Sequence, residues 1–207
     1  MSRRLAVVGD ALLDRDLDGR AERLCPDAPA PVVDDITASE RPGGAGLAAL
    51  LAARDGLEVA LITALGADDA GRAIARLLAA EGVRVIDLGL PGATPEKVRV
   101  RAGGQVIARL DHGGPAGHPG ELTAEAGAAI AAADAVLVSD YGRGITAEPG
   151  VRHAVASARA PVVWDPHPRG SLPPPGAALV TPNAGEARGM CAEAPDDAER
   201  APRRRWG

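Results

Sequence analysis

Short apolar runs recur along the chain with Ala-rich segments of helical length between them, the alternation that a parallel sheet with crossover helices produces. The runs predict strands at Leu5 to Val8, Val59 to Ala64, Val83 to Leu88, Ala135 to Ser139, Pro161 to Trp164 and Ala178 to Val180. Helices are predicted between them, at Gly44 to Arg54, Asp69 to Glu81, Leu122 to Ala132 and Ala147 to Ala158. Two regions break the alternation. Leu17 to Arg41, which carries APAPVVDDITASER at its end, reads as an extended, partly exposed excursion from the sheet. KVRVRAGGQVIARLD, Lys97 to Asp111, reads as two strands joined at Gly103-Gly104, a hairpin signal. Both are placed to cover a site. HGGPAGHPGE after Asp111 reads as a mobile connector, and from Met190 to Gly207 the periodicity is lost.

Composition narrows the picture. A chain of 207 residues, 46% hydrophobic and 25% charged, is enough for one good-sized globular domain. Tyr141, Trp164 and Trp206 are its only aromatics, so the core has to be built from Ala, Val, Leu and Ile. The net charge of -5 and the absence of a basic stripe give a nucleic-acid partner no footprint, and Arg203-Arg204-Arg205 is too short to change that. Cys25 and Cys191 are isolated, without C-x-x-C spacing, which fits a reducing cytoplasm. Asp10 and Asp14 interrupt the N-terminal apolar run before it reaches signal-peptide length, and no run approaches a membrane span, so no membrane partner is expected. His112 and His118 lack a spaced third metal ligand.

In a doubly wound sheet, ligands gather outside the carboxyl ends of the strands. Polar residues stand at five such places: Asp10 and Asp14 in VVGDALLD, Gly43 and Gly44 before a helix, Asp140 in VSDYGRG, Asp165 in VWDPHPRG, and Asn183 with Glu186 in VTPNAGE. Each has a structural reading too. Strand-end aspartates cap turns, and paired glycines relieve strain at a tight helix entry. Lys97 and Arg99 share a strand face, which suits either solvation or a phosphate. Lys97 is the one lysine beside 22 arginines, a mark of a place where a planar guanidinium does not substitute.

Together, VVGDALLDRDLDGRAERLCPDAPAPVV, RPGGAGLAALLAA, ALGADDAGR, EKVRV with QVIARLD, VSDYGRG, WDPHPRG and VTPNAGE resemble, in their order, the ribokinase-like (PfkB) carbohydrate kinases. Within these they look most like the D-glycero-β-D-manno-heptose 7-phosphate kinase branch. The resemblance covers Leu5 to about Gly189. It implies an α/β fold, a ribokinase-like three-layer α/β/α domain over residues 1–189 with a mainly parallel sheet and a small β lid (17–41 and 97–111), followed by an irregular tail, 190–207. The implied activity is ATP-dependent phosphorylation of a sugar, at the anomeric hydroxyl in the heptose branch, with Mg2+ balancing the triphosphate. Carried onto matching positions, Asp14, Gly43, Gly44 and Asp140 line the sugar, and Lys97, Arg99 and Arg109 hold its phosphate. Asp165, Asn183 and Glu186 fall on the cofactor side, with Glu186 ordering Mg2+ and its waters. The partner is a sugar or sugar phosphate, and the lid strands are where two copies would pair as a homodimer.

Two departures qualify this. Leu47 stands where the heptose-kinase pattern has an Asn, which opens the identity of the acceptor to another sugar. The family's Gly-Ala-Gly-Asp, whose Asp is the catalytic base, is absent; Asp68 and Asp69 in LGADDAGR match a different segment. The expectation is therefore a kinase domain cut short after about Gly189 and inactive alone, with a non-catalytic sugar-phosphate binding module as one alternative and a scaffold offering an exposed sheet edge as another.

Overall fold

The computed structural model describes residues 3–190. In β1 (Arg4–Gly9), Ala6 and Val8 point to one side of a sheet and Val7 to the other, all three fully buried, so both faces have to be covered. β1 is the middle of a six-stranded parallel sheet with β4 (Glu58–Thr63), β5 (Arg84–Asp87), β8 (Ala135–Ser139), β9 (Val162–Asp165) and β10 (Leu179–Val180), in the order β10-β9-β8-β1-β4-β5. α1 (Ala45–Arg54) and α2 (Asp69–Ala80) bury Ala49, Leu50, Ile74 and Leu78 against Val7, Val59 and Leu61. α3 (Ala124–Ala131) and α4 (Pro149–Ala156) bury Ile130, Val151 and Val155 against Val8, Ile62, Val138 and Trp164 on the other face. The result is three layers, α/β/α. α5 (Ala184–Met190) follows β10.

The six strands of this sheet fall within two residues of their predicted bounds; the four inner ones are buried runs that suit a central parallel strand, and β5 and β10 are the edges. The four predicted helices also match, three of them fixed by caps, where Asp68 accepts from the Gly71 N–H, Thr123 from Ala126 and Glu148 from Val151; α5 was not expected. The expected excursion at Leu17 to Arg41 is longer and more regular than its sequence suggests. It is an antiparallel hairpin, β2 (Ala11–Leu24) and β3 (Pro31–Gly44), that leaves β1 after Asp10 alone. The turn at Gly103-Gly104 joins β6 (Gly92–Ala102) to β7 (Gln105–Pro115), and both glycines have positive φ. β2 and β6 pair in parallel, making a four-stranded sheet, β3-β2-β6-β7.

The connector after Asp111 differs from expectation. Because β6 begins at Gly92, it offers backbone partners that draw His112 to Pro115 into β7, with Gly92 opposite Pro115. Met190 closes α5; the rest of the predicted irregular tail, with Cys191, Trp206 and the arginine run, lies outside the described residues. Cys25 is a free thiol. Among the described residues no helix is long and apolar enough to cross a membrane. Ile74 is fully buried where α2 meets the sheet. Ile74→Ala should cost about 2–5 kcal/mol and Ile74→Val about 0.5–1.5 kcal/mol, read from urea denaturation midpoints.

Candidate functional site

The chain runs from β1 outward in both directions, β4 and β5 to one side and β8, β9 and β10 to the other. The crevice at such a reversal opens beyond the carboxyl end of β1, where the next residue is Asp10. The four-stranded sheet also starts there, because β2 begins at Ala11 and β3 ends at Gly44, against the start of α1.

Strand periodicity puts Asp14, Asp16 and Asp18 on one face of β2. The parallel register sets them beside Lys97, Arg99 and Arg101 of β6, one rung each. Arg99 donates to Asp14 Oδ1 at 2.6 Å and lies 3.7 Å from Asp16 Oδ1, and Arg101 lies 3.5 Å from Asp18. Arg41 of β3 donates to Asp16 Oδ2 at 2.5 Å. This leaves Lys97 without an ion pair among the described residues; its ammonium stands 5.8 Å from the centroid of the Tyr141 ring. Burial lowers the pKa of Lys97, as do Arg109 and Arg143 nearby, while Asp14 and Asp111 oppose the shift. A half-desolvated ammonium among other cations favours an arriving anion.

The sequence-derived residues divide accordingly. Asp14, Gly43, Gly44, Lys97 and Arg99 come together, with the Tyr141 ring beside Gly44 and Lys97. A Cβ at Gly43 would run into Asp14 Oδ2, and one at Gly44, whose φ is 60°, would meet the Asp10 carbonyl and approach the Tyr141 ring. Arg109 is one strand further out, exposed, with two hydrogen bonds to Asp111 at 2.8 and 2.7 Å. Asp140 does not present its carboxylate to the crevice. It is 2% exposed and accepts from Gly142 N–H, Thr146 Oγ1 and Ser171 N–H. Asp165, at the end of β9, accepts from Thr181 Oγ1 at 3.0 Å. Leu47, where an Asn was expected, lies in α1 and packs against the core.

Asn183 and Glu186 form a capping box on α5. Asn183 Oδ1 accepts from Gly185 and Glu186 N–H, and Glu186 Oε2 accepts from Asn183 N–H. The Asn-x-x-Glu spacing carried this signal, which the sequence reading passed over. Glu186 Oε1 takes no hydrogen bond among the described residues, so one carboxylate oxygen is available. That donor set fits Mg2+, which keeps most of its waters and needs one or two carboxylates. No group of three or more His, Cys, Asp or Glu residues able to hold a metal occurs among the described residues.

Tyr141 was missed, as were Asp16 and Arg101. The phenol ring stacks on His167, 6.3 Å between centroids, and burial raises its pKa, helped by the charges of Asp165 and Asp14. A strand-end aromatic in a chain with three was the available signal. A cavity of about 1030 Å³ lies at the opposite end of the sheet, between Arg3, Arg4, Leu57, Glu58, Asp134 and Pro161. Despite its volume it lies at the amino ends of the strands, away from this convergence.

The chain matches the pfkB family carbohydrate kinases over residues 2–204. It belongs to that family. It is 57% identical over 186 residues to the bifunctional protein HldE of Streptomyces coelicolor, covering 90% of this chain and 39% of that protein. The HldE of Nitrosococcus oceani is 37% identical over 204 residues, with coverages of 95% and 42%. The chain thus spans about two-fifths of the length of these relatives. Among solved structures, an Arabidopsis thaliana ribokinase complexed with ribose and ATP superposes with a TM-score of 0.67 at 22% identity, over 99% of this chain and 69% of that one. The tetrameric inhibited form of Escherichia coli phosphofructokinase-2 gives 0.60 at 17% identity, over 99% and 69%. These likenesses establish a ribokinase-like α/β fold.

The Asp16–Arg41 pair predicts acid behaviour. The Arg41 hydrogen bond holds the Asp16 carboxyl below its ordinary range against the upward push of burial. A depressed acid stabilises the fold above its unfolded value, about 3.9, and loses that contribution as pH falls through the lower folded value. Thermal melts below about pH 4 should fall more steeply for the wild type than for Asp16→Asn.

Proposed function

We propose that the chain forms the acceptor side of an ATP-dependent carbohydrate kinase whose acceptor is a heptose 7-phosphate-like sugar, phosphorylated at its anomeric hydroxyl. The observation that carries this is the charge register of β2 and β6, which leaves Lys97 over Tyr141 without an ion pair among the described residues. The relatives named HldE and the family membership support the kinase reading.

On this reading the Asp14 carboxylate accepts a sugar hydroxyl, and the bare backbone at Gly43 and Gly44 lets the sugar approach closely. Lys97 holds the sugar's own phosphate. Arg99 and Arg109, expected to share that task, act through their carboxylates instead: Arg99 orients Asp14, and Arg109 stays with Asp111 at the rim. Asp140 shapes the loop behind the sugar. Asp165, Asn183 and Glu186 stand on the nucleotide side, with Glu186 the residue that would hold Mg2+. When bound, Mg2+ supplies neutralisation of charge on the triphosphate. The two outer hairpins form a lid over the crevice, and Val106, Ile107 and Leu110, exposed on β7, favour pairing of two copies along the lid.

Phosphoryl transfer depends on positioning and on electrostatic stabilisation at the reacting oxygens. No Gly-Ala-Gly-Asp run occurs in the 207 residues, and a missing positioned base costs about 10²- to 10⁴-fold. The chain alone is therefore proposed to bind the acceptor without turning it over. A second reading, a sugar-phosphate binding module, rests on the same intact acceptor side. Calorimetry with D-glycero-D-manno-heptose 7-phosphate should show saturable binding, and a coupled assay with ATP and Mg2+ no product above blank. Product formation would overturn the inactivity, and absence of binding the acceptor reading.

A further inference from the structure

The loop that follows β8 has amides with no ladder to join. Asp10 takes three of them: Oδ2 accepts from Tyr141 and Arg143 N–H, each at 3.0 Å, and Oδ1 from Ile145 N–H at 3.3 Å. The Gly142 amide goes to Asp140. Gly142 and Gly144 have φ of 67° and 111°, a backbone course that turns successive N–H groups inward. Such a concavity ordinarily collects an anion from solution. Here an internal carboxylate, 6% exposed, fills it. The same residue's carbonyl accepts from Ala45 N–H at the start of α1, and the next amide, Ala11, donates to Thr63 Oγ1 of β4.

We propose that Asp10 is a positioning residue of the acceptor crevice: its buried carboxylate fixes the Tyr141–Ile145 loop so that the Tyr141 ring stays in reach of both Lys97 and His167. The proposal rests on the acceptor reading given above. Two physical consequences follow. The loop is ordered before a ligand arrives, so binding does not pay for ordering it. Four of its five amides are also spoken for, so a ligand phosphate is directed to Lys97 rather than to the loop. The carboxylate is held in place against its own solvation: burial raises the Asp10 pKa, the three N–H bonds lower it, and the nearby Asp140 charge raises it further. Asparagine has the same shape but brings an N–H₂ against inward-pointing N–H groups, so Asp10→Asn tests the charge and its acceptors without opening a cavity.

The wild type gives the first test, independent of whether the variant folds. By hydrogen exchange, the amides of Tyr141, Arg143 and Ile145 should exchange about 100-fold or more below their unprotected rates. Free exchange at these three overturns the proposal. In Asp10→Asn their exchange should rise at least about tenfold, with the amides of Val7 and Val138 unchanged. The ring resonances of Tyr141, the single tyrosine, should shift, and the dissociation constant for heptose 7-phosphate should rise about tenfold, as loss of a charged hydrogen bond implies. An unchanged ring signal and affinity overturn the positioning role. Protected loop amides in a wild type that does not bind heptose 7-phosphate reduce Asp10 to a loop anchor and locate the failure in the acceptor reading.

Discussion

The register of β2 against β6 is the constraint on which the rest of this molecule depends. Parallel pairing sets Asp14, Asp16 and Asp18 beside Lys97, Arg99 and Arg101, so a slip of one residue would place two of the three aspartates against valines. Asp14 and Asp16 are nearly buried, and stranding either without its guanidinium costs on the order of 3 kcal/mol. The charges therefore add specificity to a pairing that hydrogen bonds alone would leave free to slide. Arg99 and Arg41 are consumed in this matching, and Lys97 is the cation left over at the crevice.

A second device works beside the first. The six-stranded sheet ends β1 at the reversal of strand order, and Asp10 there gathers the loop after β8 and the start of α1 around one carboxylate and one carbonyl. The ring of Tyr141 is set by this loop, and the ammonium of Lys97 by the outer sheet. Their meeting at 5.8 Å joins the two sheets across the crevice. Both devices use desolvated charge, which is strong where water is excluded and costly where a partner is lost.

Much of this architecture was legible in the sequence. Runs such as AVLVS and EVALIT are buried on both faces, and only a central parallel strand satisfies them, so their position followed from pattern alone. β2 was not legible as a strand, because DRDLDGRAER is charged on alternate positions and lacks the apolar face that identifies a half-buried strand. Its partners explain it, since the acidic face is answered by KVRVR some 80 residues later, a match visible only once the pairing is known. Arg109 and Asp140 were placed in the site by family pattern, yet one is spent on Asp111 and the other on its own loop. Asn183 and Glu186 carried a local meaning, a capping box, besides the cofactor role the resemblance implied.

Ion pairing within the outer sheet is proposed to select Lys97 as the cation for an anionic acceptor. Calorimetric affinity for heptose 7-phosphate, compared between Lys97→Met and Arg109→Met, tests it most directly. Lys97→Met should weaken binding about tenfold or more, and Arg109→Met should leave it within about twofold, because the Arg109 guanidinium is already committed to Asp111. Equal losses in the two variants, or a larger loss at Arg109, would contradict it.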